Sequence, residues 1–520
     1  MTTNSDPCFK DTFGFALGGL GVKRNGCFSK TFHFFALFFI FTSHAFAYFS
    51  FNDNCKSAYK EILNFKLDLA QQKLNQEKLI HPSNAISYYL YSYIDFINAF
   101  VNEEEACFIQ FKKNTDFRLN QLEQEDKTSP YYLFSQAEIY LQSAFLRLKY
   151  KEYLTSAYEI RKAYKLLEKN TLLFPAFTLN KKSLGFLHTL VGAVPDDYKW
   201  LVGIVGMKGS IKQGVLELDE VIASKNMDNP NYRTEALIIK AFIEMNLQKN
   251  KKKASGIGEE LYSGNPENSS LLLSFVSGNI AMRTGNNDRA INIFLSKPVK
   301  DCLPFYYIEY LTGVAKLNRL DKDANIYIEK FIKNFKGRNY VKAAYQKLAW
   351  YYLINEDIDM YKHYMTLVIN NGYADIDEDQ QALKEAQVGQ IPNVILLKSR
   401  LLSDGGYYQQ AISQIALNKT EPYTRLKDQL EVTYRMGRIY HEMGNYEKAV
   451  EYYLKTLKNG EHYSYYYAAN SALHLGFIYE EQNNMVNARL YYEKCLLLKN
   501  HEYQSSIDQK AKAGLNRIIN

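Results

Sequence analysis

The sequence predicts an all-α chain, a solenoid of stacked helix hairpins, and three observations carry that expectation. Aromatic residues are in excess, with 43 Tyr and 31 Phe among 520 residues, so much flat surface has to pack. Small and aromatic residues recur at a fixed offset: Gly437 and Gly476, Tyr440 and Tyr479, Ala449 and Ala488, and Tyr453 and Tyr492 are each 39 residues apart. No stretch alternates apolar and polar residues for long enough to make a strand.

The offset defines a unit. A small residue is followed three positions on by an aromatic, twelve on from that small residue by Ala, and four further on by another aromatic. Residues three or four apart share a helix face, so the first pair marks helix A and the second marks helix B of a hairpin. The small residues let the helices approach and the aromatics fill the space beside them. Looser copies lie upstream: Gly278, Ala281, Gly285, Ala290 and Phe294; Gly313 with Ala324; Ala349, Tyr352 and Tyr361; and Ser399, Leu402, Gly406, Tyr408 and Ala411. Asn265-Pro266 reads as a turn between two units. Residues 231–520 therefore read as six or seven helix pairs closed by a last helix, SSIDQKAKAGLNRIIN. Upstream, Pro130 to Pro175 reads as one antiparallel pair in which Ala144, Leu148 and Ala157 echo the unit.

This pattern resembles the tetratricopeptide repeat, whose usual period is about 34 residues. The longer period here is accounted for by an extended helix B and turn around NGEHYSYYY. The resemblance implies an α-α superhelical solenoid whose inner face, lined by helix A, holds protein or peptide ligands. On the two best units those positions are Glu431, Tyr434, Arg438 and His441, then Asn470, Leu473, Phe477 and Glu480. Mixed aromatic, Arg and carboxylate groups suit a peptide or a polar protein patch. The Lys and Asn clamp used by repeats that grip acidic chain ends is not evident.

A glycine-rich segment, Leu184 to Ile222, interrupts the rhythm. Gly185, Pro195, Gly206, Gly209 and Gly214 are similar to positions in a eukaryotic family of tetratricopeptide proteins linked to inclusion-body and lipid-droplet clearance. Asp196 stands where that pattern has a second proline, and Lys208-Gly209-Ser210 replaces its Gly-Asp pair. From the residues themselves, the segment reads as a buried hairpin with tight glycine contacts.

The amino terminus follows another rule. Lys23, Arg24 and Lys30 precede the apolar run TFHFFALFFIFTSHAFA, which ends in Ala45-Phe46-Ala47. That order is the one a secretory signal uses, with cleavage near Ala47; an uncleaved anchor over 31–49 is the alternative. The organisation expected is thus a signal peptide over 1–47, an irregular helical region over 48–230, and the solenoid over 231–520. Without the leader, 59 basic residues face 54 acidic ones. A net charge of +5 spread over that length is no nucleic-acid footprint. The basic run Lys249 to Lys253 reads as a solvated turn. Cys55, Cys107, Cys302 and Cys495 are scattered and read as small packed residues, with a Cys55 to Cys107 bridge left open.

Sequences that imitate chemistry fail on spacing. HEMGN at His441 has Asn445 where zinc binding on one helix face needs a second His. DIDEDQQALKEA at Asp375 has Gln380 and Ala386 where a calcium loop needs Gly and Glu, and reads as an acidic loop capping the next helix. Gly256 and Gly258 lack the third glycine of a dinucleotide site. No metal or cofactor is expected; His188 reads as a core residue, and His363 and His474, on repeat helices, read as packing or exposed residues. The function expected is a non-enzymatic, exported interaction scaffold or adaptor, in the periplasm or at the outer membrane, with a peripheral membrane contact left open. The alternatives are a surface binder of glycans or nutrients, and an enzyme with its site in residues 48–230.

Overall fold

The computed structural model describes residues 48–194, 206–224, 231–262, 270–417 and 423–519. The expected leader over 1–47, Asn265-Pro266, and Pro195-Asp196 lie outside these residues. Among the described residues there are 24 helices and a single isolated bridge, Tyr48 to Asn84. No described helix is long and apolar enough to cross a membrane.

The helices come mostly in antiparallel pairs. The first four pairs are α1 (Asp53–Leu63) with α2 (Leu67–Ile80), α3 (Ile86–Asn102) with α4 (Glu105–Leu122), α5 (Pro130–Lys149) with α6 (Tyr153–Leu173), and α7 (Asn180–Ala193) with α8 (Ile211–Ala223). Next come α9 (Asn231–Asn246) with α10 (Lys251–Leu261), α11 (Leu271–Arg283) with α12 (Asn287–Leu295), α13 (Tyr307–Asn318) with α14 (Ala324–Asn334), and α15 (Val341–Ile354) with α16 (Ile358–Asn370). The single helix α17 (Asp377–Val388) precedes α18 (Val394–Asp404) with α19 (Tyr408–Leu417). The chain ends with α20 (Leu426–Glu442) and α21 (Tyr446–Gly460), α22 (Tyr467–Glu481) and α23 (Met485–Leu497), and the closing α24 (Gln504–Ile519). Helices pack on their chain neighbours, and first helices of successive pairs pack on each other, as α20 does on α22. This is an all-α solenoid of hairpins.

The last two hairpins show why the offset exists. A Cβ on Gly437 would stand 2.7 Å from Tyr453 Cδ1, and one on Gly476 would stand 2.4 Å from Tyr492 Cε1. Each glycine is thus the floor under the tyrosine of its own helix B. Outside that seam, Tyr440 stacks on Tyr452 at 5.7 Å and Tyr479 on Tyr491 at 5.5 Å. The turns repeat as well. Gly444 (φ +75°) and Asn483 (φ +57°) end the A helices in the left-handed region, where Gly and Asn are tolerated best. Asn445 and Asn484 then cap α21 and α23, accepting from Lys448 N and Asn487 N. HEMGN is therefore a helix end followed by a helix start.

Upstream copies use the same positions with other residues. A Cβ on Gly278 would stand 2.2 Å from a ring carbon of Phe294. Ser399 Oγ donates to the Ala411 carbonyl at 2.9 Å across α18 and α19. In α5 and α6 the corresponding contact is Ser156 Oγ to the Ala144 carbonyl, also 2.9 Å. The small position there belongs to Ser156, not to Ala157 as the sequence suggests; Ala157 and Leu148 are exposed, because a one-residue shift on a helix turns a side chain by about 100°.

Two further expectations need correcting. The acidic segment at Asp375 does not cap the helix that follows it. Asp379 reaches back to the start of α15, where its carboxylate accepts from Tyr340 N at 2.7 Å and Ala343 N at 2.9 Å. Asp375 instead pairs with Lys151 at 2.6 Å and Arg338 at 2.8 Å, so neither carboxylate is left for a cation. The four described cysteines are free thiols, with Cys55 and Cys495 buried but Cys107 and Cys302 half-buried.

The described arms of the glycine-rich segment, α7 and α8, form a tight hairpin. A Cβ on Gly214 would stand 2.2 Å from the Gly185 carbonyl oxygen, and one on Gly209 would stand 2.6 Å from His188 Cα. His188 is buried and its Nδ1 lies 2.6 Å from Glu217.

The amino-terminal half is held by buried charge. Lys182 Nζ on α7 lies 2.9 Å from Glu138 on α5 and 2.9 Å from Glu235 on α9. Ser183 donates to Glu138, while Tyr59 on α1 and Tyr93 on α3 donate to Glu235. Burial opposes the Lys182 charge, yet the two carboxylates outweigh it and hold the ammonium above its usual range. Lys182, Glu138 and Glu235 are all buried, and both carboxylates accept from Lys182, a tie that with Tyr59 and Tyr93 joins five helices.

Candidate ligand groove

The groove residues expected from the sequence come from two facing helices. α20 supplies Glu431, Tyr434, Arg438 and His441, and α22 supplies Asn470, Leu473, Phe477 and Glu480, because α20 and α22 lie side by side. Most of them are joined. Tyr434 OH accepts from Asn470 Nδ2 at 2.6 Å and from Arg438 Nη1 at 3.3 Å. Glu431 accepts from Arg435 Nε at 2.7 Å and from Tyr467 OH at 2.9 Å. Burial pushes the Glu431 carboxyl upward, but Arg435 and the hydrogen bonds together bring it below the usual range. Glu480 accepts from Arg517 Nε at 2.7 Å and from Tyr492 OH.

Burial divides the row. Tyr434 and Leu473 are 3% and 1% exposed and belong to the seam between hairpins, whereas Glu431, Arg438, His441, Asn470, Phe477 and Glu480 are partly open. The two histidines form an aromatic column. His474 lies flat on Tyr453 at 5.5 Å and edge-on to Phe477 at 5.6 Å, while His441 stands perpendicular to His474 at 5.5 Å. Burial, foremost, pushes both imidazoles down; His441 Nδ1 lies 3.4 Å from Tyr453 OH, whereas His474 Nδ1 is buried without a hydrogen-bond partner. No group of three metal-ligating side chains comes together among the described residues.

Sequence reasoning missed two features of this face. The basic turn at Lys249 is exposed, yet it lies against the groove: Lys249 Nζ sits 4.3 Å from the Phe477 ring centroid and Lys251 Nζ 2.6 Å from Glu442. A separation of about 190 residues between Lys251 and Glu442 left no local signal. The second feature continues the face past Glu431. Arg400 on α18 acts electrostatically on Glu431 and Tyr466, and its guanidinium lies 4.7 Å from the ring of Trp350 on α15. Lys347 covers the same ring at 3.6 Å. The spacing of Lys347 and Trp350, one helical turn apart, was the only available clue to it.

A family model for the tetratricopeptide repeat matches residues 428–499, the segment containing both glycine and tyrosine seams. No curated protein matches the chain. One solved structure, the crystal structure of APC/C hetero-tetramer Cut9-Hcn1, is similar over 89% of this chain and 95% of that one, at 11% identity. The TM-score of that likeness is 0.23. The two hairpins of α20 to α23 are thus tetratricopeptide repeats.

Proposed function

We propose that the protein is an exported, non-enzymatic adaptor that seats a protein partner on the inner face of α20 and α22. That its repeats form a protein-interaction scaffold is common to the superfamily; the location, the partner's seat and the absence of catalysis are this proposal's own. The observation that carries it is the row from Glu431 to Glu480: partly open Arg, aromatic, amide and carboxylate groups, held in place by hydrogen bonds across two helices. Preorganised polar and aromatic groups of this kind favour binding because little side-chain freedom remains to be lost.

Affinity capture with the tagged chain tests this, read by mass spectrometry against a variant carrying Arg438→Ala and Phe477→Ala. Tyr434 is left intact because its ring is buried. A protein retained by the parent and lost from the equally folded variant is the expected result; identical captured sets would remove the groove from consideration. For export, the mature chain is expected in the cell envelope with its first residue near Tyr48. A chain in the cytosol beginning at Met1 would contradict that part.

A further inference from the structure

The inner face carries a charged platform that the repeat pattern does not explain. Trp350 is held in position by its own Nε1, which donates to Glu385 Oε1 at 2.8 Å, while Gln346 Nε2 fixes the other oxygen at 2.7 Å. Both oxygens of Glu385 are therefore used. Two cations lie over the indole, Lys347 at 3.6 Å and Arg400 at 4.7 Å. Lys347 Nζ donates to the Gln346 amide oxygen at 3.1 Å, and no carboxylate stands within ion-pair distance of it among the described residues. Arg400 has one carboxylate within ion-pair distance among the described residues, Asp404 at 3.7 Å, and a weaker electrostatic partner in Glu431. Beside them Lys384 lies 4.4 Å over the Tyr503 ring, and Tyr503 meets Tyr466 edge-on at 5.4 Å.

Like charges 3.6 and 4.7 Å from one ring repel each other unless something anionic lies between them. Cation–π attraction to one indole does not neutralise either charge. The arrangement is therefore complementary to an anion, and the surrounding Tyr466 and Tyr503 rings offer apolar contact to the chain that bears it.

We propose that Lys347 and Arg400 on Trp350 form a carboxylate subsite for an acidic segment of the protein partner. The inference rests on the inner face being the partner's seat, and adds what that partner brings there. Supporting it, burial first and Arg400 second push the Lys347 ammonium down to about 7. The other groups facing it are Glu378 and Glu385 from α17 and Asp404 from α18, and their attraction does not restore its ordinary value. A bound carboxylate does so, and draws a proton onto Lys347 at pH 8.

Trp350 is the natural reporter once Trp200 is replaced by Phe in the full chain. Titration with a hexaglutamate peptide is expected to change its emission saturably, with proton uptake at pH 8 seen by calorimetry in two buffers. In Lys347→Gln and in Arg400→Gln the affinity is expected to fall tenfold or more, with circular dichroism unchanged, while Lys347→Arg keeps binding. A flat titration, equal affinity in the Gln variants, or saturation by inorganic phosphate at lower concentration than by the peptide would overturn the carboxylate subsite. Partner capture separates this from the reading beneath it. Loss of the partner with Arg438→Ala and Phe477→Ala, but not with Lys347→Gln, keeps the seat and ends the acidic segment; loss with neither ends both.

Discussion

In α20 to α23 each hairpin closes on a glycine lying under a tyrosine, whereas in α1 to α9 five helices are tied by Lys182 between Glu138 and Glu235. The first device is local. Gly476 and Tyr492 are sixteen residues apart, so one hairpin can form its seam alone, and the next hairpin repeats it. The second is long-range: Tyr59 and Glu235 are 176 residues apart, and the tie exists only once the whole amino-terminal half has assembled. Repeats joined by local seams approximate a sum of unit stabilities and nearest-neighbour terms. A buried network makes its contributors fold or unfold together.

The sharpest way to break this contrast is Lys182→Met. Removing one member leaves two carboxylates buried without a cation, a loss of about 3–5 kcal/mol. Chemical denaturation should show that loss in the amino-terminal transition, while α20 to α23 unfold as before. The triple variant Glu138→Gln, Lys182→Met, Glu235→Gln should recover most of it, because no charge is then left stranded. A loss below about 1 kcal/mol for Lys182→Met alone would show the network to be dispensable.

Gly476→Ala is the counterpart in the carboxy-terminal hairpins. Its methyl group meets Tyr492 Cε1 at 2.4 Å, and Gly514 crowds the same ring from the other side, where a Cβ would stand 2.4 Å from Cζ. With no room for the ring to yield, overpacking should cost about 1–3 kcal/mol. Gly256→Ala, where no atom lies within contact of the added carbon, should instead stabilise α10 by up to about 1 kcal/mol. Thermal melts of the two variants moving in the same direction would undo the seam as an explanation of the offset.

These two regions also differ in what could be foreseen. The seam was legible because its members repeat: one offset links Gly437 to Gly476 and Tyr453 to Tyr492, and packing demands those residue types. Where a unit is degenerate the eye slips by one residue, as with Ala157 for Ser156. Lys182, Glu138 and Glu235 carry no spacing at all, since each sits on its helix like any solvated charge and only the tertiary arrangement buries it. The groove lies between these cases. Its helix and register follow from the repeat, but the burial of Tyr434 against Asn470 and Arg438 depends on the next hairpin, and the Lys249 turn arrives from a distant one. Asp379 shows the same limit, since a carboxylate at a helix start looks like that helix's cap until the fold brings an earlier helix to it.

Lys347 offers a test by pH. Its folded value is about 7 against 10.5 for an ordinary lysine, so between those values the unfolded chain holds a proton that the folded chain does not. This group therefore makes the protein least stable below pH 7 and adds stability as pH rises toward 10.5. Lys347→Met should melt higher than the parent at pH 6.5, with the gap narrowing by pH 9. A constant gap would mean that the ammonium is already neutralised in the fold. A residue that lowers stability where it stands, and whose removal weakens hexaglutamate binding tenfold or more, is what a binding site under functional constraint predicts.

The smallest effect expected comes from Lys251→Ala. Lys251 and Glu442 are both well exposed, and such pairs contribute about 0–1 kcal/mol, screened further by salt. The melting temperature should hardly move. Amide exchange is the better probe, because it reports local opening far below the global free energy. If the pair and the Lys249 contact with Phe477 hold the turn against α20 and α22, exchange at Lys253 and Ala254, whose amides bond to Asn250, should quicken in Lys251→Ala and in 0.5 M salt, while α21 and α23 keep their protection. Unchanged exchange would leave the turn lying beside the groove without being held there, and the two halves of the molecule would then be joined at this point by proximity alone.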